Sequence, residues 1–139
     1  MAFNGYLIKL GGSSGTILPL KYMRYQTYKV TPNQRQDLDS TVDTSGLLHR
    51  HPVSHRRSKI EFNTPMMYNY DIETLMGMLR SAWTSDSERK ITLEYYDPEY
   101  NTYKTGVFYM PDTDFEMTTI DTGKNTILYN ELRFAFIEY

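Results

Sequence analysis

The sequence predicts a mainly β (α+β) fold: an antiparallel β-sandwich or partly open barrel carrying one amphipathic helix, in a single domain spanning residues 1–139. Three observations predict it. Short apolar-alternating segments separated by turn residues recur along the chain. One segment has helical spacing, with Ile72, Leu75, Met76, Leu79 and Trp83 forming a single stripe. No alternation of strand and helix suggests a parallel sheet. Tyr supplies 13 of the aromatic residues against 6 Phe and 1 Trp, and Tyr suits half-buried strand positions and contact surfaces.

Tyr6–Leu10 reads as a first strand, ended by the turn-forming run Gly11-Gly12-Ser13-Ser14-Gly15. Residues 20–30 follow neither clean period and are expected to be extended with a bulge. Residues 31–58 are expected to form one long loop, polar through residue 48 and basic from His49 to Lys59. Lys59–Asn63 alternates as a half-buried strand and Thr64-Pro65 ends it. Asp71 is the expected helix N-cap, and the stripe behind it is expected to cover a sheet. Lys90–Tyr95 and Tyr103–Met110 flank the turn residues Asp97-Pro98-Glu99-Tyr100-Asn101 as a hairpin. Phe115–Ile120 reads as a further strand, and Ile127–Tyr139 as one long closing strand with Leu132, Phe134, Phe136 and, by the same spacing, Glu138 on one face.

Composition excludes several chemistries. With no Cys there are no disulfides, thiolate metal sites or cysteine nucleophiles. The glycine run lacks the Gly-Lys-Ser/Thr ending of a phosphate loop, and no cofactor is expected. His49-x-His51 with His55 invites a metal reading, but Arg50, Arg56 and Arg57 place fixed positive charge beside them and no Asp or Glu lies between residues 44 and 60. No metal site and no catalytic set are therefore expected. Nothing approaches the roughly 20 apolar residues of a membrane helix, and the first residues lack the pattern of a secretory signal, so the chain is expected to stay in the cytoplasm or leave by another route.

Charge is divided unevenly. Residues 1–59 carry nine Lys or Arg against three acidic residues, whereas residues 60–139 carry six against fourteen. A basic surface on one copy facing an acidic surface on the next fixes register in a head-to-tail contact, which a closed rotation turns into a ring. Arg35, Asp37, Asp39, Asp43, His49, Arg50, Arg56 and Arg57 are the expected interface residues, with Arg50, Arg56 and Arg57 reaching carboxylates of the neighbour. The segment is expected to be mobile in an isolated subunit and ordered in the assembly. The competing reading is a nucleic-acid-binding domain using residues 49–59, which the overall acidity opposes. Specific nucleic-acid binding is not expected.

Taken together, Ser45-Gly46-Leu47-Leu48-His49-Arg50, Arg57-Ser58-Lys59-Ile60-Glu61-Phe62, the striped helix and Ile91-Thr92-Leu93-Glu94-Tyr95-Tyr96-Asp97-Pro98 resemble a family of small tail proteins of bacteriophages and prophages. The resemblance covers residues 4–139 in organisation. It implies a tail-tube-like or distal-tail-like β-sandwich in a virion tail, assembled in the host bacterial cytoplasm. It further implies a non-enzymatic subunit of a hexameric ring at the tube end or baseplate, whose partners are its own copies and other tail or baseplate proteins. The long early loop would then reach a neighbouring subunit.

Overall fold

A computed structural model describes residues 3–139. The chain forms β1 (Ile8–Leu10), β2 (Thr16–Ile17), a 3-10 turn (Leu20–Tyr22), β3 (Lys29–Gln34), β4 (Asp37–Val42), β5 (Leu48–Pro52), β6 (Arg57–Asn63) and β7 (Met67–Tyr68). There follow α1 (Asn69–Ala82), β8 (Trp83–Ser85), β9 (Lys90–Asp97), β10 (Thr102–Tyr109), β11 (Met117–Asp121), β12 (Thr126–Tyr129) and β13 (Arg133–Glu138). The main sheet has eight strands, ordered β2-β1-β9-β10-β13-β6-β3 with β8 also on β9, and its strand pairs are antiparallel. Its edges β2 and β3 do not pair with each other, so the sheet is open and not a closed barrel. A three-stranded sheet, β11-β12-β7, and the separate pair β4-β5 complete the fold.

Alternation decides which side of the main sheet is buried. Ile60 and Phe62 on β6, Ile91, Leu93 and Tyr95 on β9, Phe108 on β10 and Phe134 and Phe136 on β13 face one core. On the other side of that core lies α1, which buries Ile72, Leu75, Met76 and Leu79 as its stripe requires. Met67 on β7 joins the same cluster and Tyr129 on β12 packs against it. The expected mainly β fold with one covering helix is therefore the fold observed.

Several elements differ from expectation. Trp83 leaves the helix: its backbone is extended (φ −65°, ψ 131°) and it pairs with Ile91 as the first residue of β8. The helix begins at Asn69 behind Tyr68, with no side-chain cap, because β7 feeds straight into it. Asp71 sits in the first turn, where its charge still favours the positive end of the helix. Residues 20–30 contain the 3-10 turn and become strand only at Lys29, and β11 starts at Met117 rather than at Phe115.

The closing strand is two strands in two sheets. Between β12 and β13 the chain crosses over, held where Thr64 N–H donates to Leu132 O at 2.8 Å and Leu132 N–H to Thr64 Oγ1 at 3.1 Å. Thr64 and Leu132 are fully buried, so this polar exchange needs a partner for each group. Apolar residues stand on both sides of the crossover, Ile127, Leu128 and Tyr129 before it and Leu132, Phe134 and Phe136 after it, which is why the run reads as one strand in the sequence.

Candidate functional site

The eight residues expected at an interface lie on or at the base of one element. Residues 35–57 are not a loop: β4 and β5 pair antiparallel from Asp37↔Pro52 to Val42↔Leu48, and every residue from 35 to 57 is exposed. At the tip, Gly46 takes a left-handed backbone (φ +87°), a conformation costly to a residue with a Cβ. Asp43 closes the turn: its Oδ1 accepts the N–H groups of Ser45 (2.9 Å) and Leu47 (3.0 Å) and the Ser45 hydroxyl (2.6 Å). The Ser45 hydroxyl and His49, helped by the Leu47 amide, hold its carboxyl down to about 2.

Along the hairpin the charges pair across the strands. Arg50 Nη2 lies 2.9 Å from Asp37 Oδ1, His49 Nε2 lies 2.9 Å from Asp43 Oδ2, and His51 Nε2 lies 3.7 Å from Asp39 Oδ1. Arg50, expected to reach a neighbouring copy, is thus engaged within its own hairpin. The carboxylates missing from the local sequence around the histidines arrive from the opposite strand. Among the described residues, no group of three His, Asp or Glu side chains is placed to hold a metal, and no helix is long and apolar enough to cross a membrane. A periodicity search misses β4 and β5 because no face of them is buried, so their order rests on turn geometry and cross-strand pairs.

The hairpin leaves the body through a bulge. Thr31 pairs with Lys59 and Gln34 with Arg57, so Pro32 and Asn33 together oppose Ser58. Asn33 takes φ +53°, an arrangement that bends the strand. Its side chain is buried and fully occupied: Nδ2 donates to Asp97 Oδ2 (2.8 Å) and Glu99 Oε1 (3.1 Å), while Oδ1 accepts from Lys104 Nζ (3.1 Å). Lys104 also lies 3.0 Å from Asp97, whose side chain is 0% exposed. Burial alone would raise the Asp97 carboxyl; the bonds from Asn33, Lys104 and the Glu99 amide outweigh it and the carboxyl is lowered.

Arg35 grips Glu99 with two 3.0 Å contacts, and this pairing, with the Asn33 bond, lowers Glu99 as well. Beside them Asn33 N–H donates to Ser58 Oγ (3.1 Å), which lies 2.8 Å from the Tyr95 hydroxyl, and Ser58 N–H donates to Glu138 Oε1 (2.8 Å). Gly106 leaves the room this carboxylate needs, since a Cβ there would collide with Glu138. A polar layer at one end of the apolar core therefore clamps the hairpin root. Asn33, Asp97, Glu99 and Lys104 carry it, and the sequence offers no signal for them beyond the turn chemistry of Asp97-Pro98-Glu99.

Arg56 reaches only the Tyr100 hydroxyl, at 3.3 Å, and neither Arg56 nor Arg57 has a carboxylate within 4.0 Å among the described residues. The hairpin as a whole, residues 35–57, holds four Arg against three Asp.

No curated protein matches the sequence. The sequence profile of a family of unknown function (DUF6711) matches residues 1–139, and the chain belongs to that family along its whole length.

Proposed function

We propose that this protein is a structural subunit of a phage tail or a related tail-like machine, working as a homo-oligomeric, hexameric ring at the end of the tube or in the baseplate. The observation that carries this reading is the hairpin of residues 35–57: exposed throughout, yet paired in register and clamped at its root by buried polar groups. An isolated two-stranded hairpin is marginal in water, and this one also displays Leu38 (80% exposed), Val42, Leu47 and Leu48 to solvent. Apolar side chains on an ordered projection suit contact with another subunit. The uneven charge along the chain favours a head-to-tail contact between copies, and the tail-protein resemblance of the sequence agrees with both.

Native mass spectrometry with negative-stain imaging of the purified full chain tests the reading. A ring or tube of identical copies is expected. A protein that remains monomeric at its highest soluble concentration overturns it.

A further inference from the structure

We infer that the arginine-lined cleft at the hairpin root is the seat for the acidic segment Asp112–Glu116 of a second copy. The cleft has a volume of about 620 Å³ and is lined by Arg35, Arg50, Pro52, Val53, Ser54 and Arg56. Glu99 and Asp37 answer Arg35 and Arg50. Arg56 and the adjacent Arg57 are left with guanidinium groups that no carboxylate of the described chain meets. Pro52 and Val53 put apolar surface beside Arg56 in the cleft.

The complementary surface is the connection from β10 to β11. Residues 110–116 have no regular secondary structure and present Asp112, Asp114 and Glu116 around Phe115, which is 43% exposed. Asp112 comes no nearer than 4.0 Å to Arg89, and Asp114 and Glu116 form no ion pair among the described residues. Three carboxylates around an aromatic side chain match the unanswered guanidinium of Arg56 in the cleft beside proline and valine, with Arg57 following it in the chain as the first residue of β6. Arginine binds carboxylate in a directional, two-pronged way that ammonium does not.

Position in the fold makes this a contact between copies. The cleft is tied to Glu99 and Tyr100, just beyond the C-terminal end of β9, while Asp112 lies beside Arg89, just before its N-terminal end. At about 3.3 Å per residue, the eight-residue strand separates them by roughly 23 Å. Two different surfaces at opposite ends of one strand join copies heterologously, so each copy offers a cleft to one neighbour and an acidic segment to the other.

This inference rests on the assembly proposed above, and the test separates the two. Variant one carries Arg56→Glu and Arg57→Glu; variant two carries Asp114→Lys and Glu116→Lys. Sedimentation velocity is run on the wild type, each variant and their equimolar mixture, with circular dichroism as the check on folding. Each variant alone is expected to lose assembly by at least about tenfold in concentration, because like charges then face each other. The mixture is expected to reassemble, because each variant's cleft then meets the other's segment with opposite sign.

Variants that assemble as the wild type does, or a mixture that stays dissociated, overturn the inference while leaving the assembly reading intact. A monomeric wild type overturns both. If a reversed variant loses its dichroism spectrum, Arg56→Gln with Arg57→Gln and Asp114→Asn with Glu116→Gln carry the test: weakened assembly from both pairs supports the inference, and wild-type assembly from either overturns it.

Discussion

The body and the hairpin of this protein are ordered by different forces. In the body, one apolar face of the eight-stranded sheet is sealed by α1 and joined by residues of the small sheet, and the largest side chains there, Tyr95, Phe108, Phe134 and Phe136, are almost completely buried. In the hairpin no residue is buried, and the strands are joined by backbone bonds, the Asp43 turn and exposed ion pairs. Such pairs are weak in water and screened by salt. The hairpin's fixed direction is therefore set at its root, where the bulge at Asn33 meets Asp97 and Lys104. The body supplies stability, the root supplies direction, and the hairpin is free to present chemistry.

The largest expected effect lies in the body. Leu79 is 1% exposed and belongs to the α1 face that packs on the core. Leu79→Ala is expected to cost about 2–5 kcal/mol by leaving a cavity, measured by denaturant unfolding. A loss below about 0.5 kcal/mol, the size of a surface substitution, would show that α1 does not help to hold the body together.

Next comes the root. Asp97→Asn removes the carboxylate that Lys104 and Asn33 share, and it is expected to cost about 2 kcal/mol at neutral pH, the scale of a hydrogen bond to a charged group. The sign of the pH dependence follows from the lowered carboxyls of Asp97 and Glu99. A carboxyl lowered by folding stabilises the native state at pH values above its unfolded value of about 4, and that contribution fades as pH falls through the folded value. Hydrogen exchange corrected for intrinsic rates should show protection of β3 and β4 falling on acidification below about pH 4, ahead of β9. The same acid step should be smaller in Asp97→Asn. Equal loss in β4 and β9 at every pH would mean that root and body form one cooperative unit.

The smallest effect should come from the hairpin itself. Replacing residues 38–51 by a two-residue Asn-Gly turn removes no buried side chain, so thermal unfolding is expected to shift by no more than about 0.5 kcal/mol equivalent, the range of surface changes. A larger loss would place stability in the projection and dissolve the contrast between the two regions.

Sequence alone determined those parts whose partners are local or whose pattern is periodic. The stripe from Ile72 to Leu79 defines the buried face of α1, the alternation of Lys90–Tyr95 and the turn at Asp97–Asn101 define the β9-β10 hairpin, and Leu132, Phe134 and Phe136 are inward as their spacing requires. The same reading gathered Arg35, Asp37, Asp39, Asp43, His49, Arg50, Arg56 and Arg57 into one region because their charge is concentrated there. Only the tertiary structure decided that this region is a hairpin, which of its charges answer one another, and which are left over. It also decided that Trp83 turns away from the helix, that the closing strand divides between two sheets at Thr64 and Leu132, and that Asp97, 64 residues from Asn33 in the chain, fixes the hairpin's direction. Periodicity records whether a side chain faces water or the core, whereas a bulge, a cross-strand ion pair or a buried carboxylate depends on a distant partner that only the folded chain brings within hydrogen-bond reach.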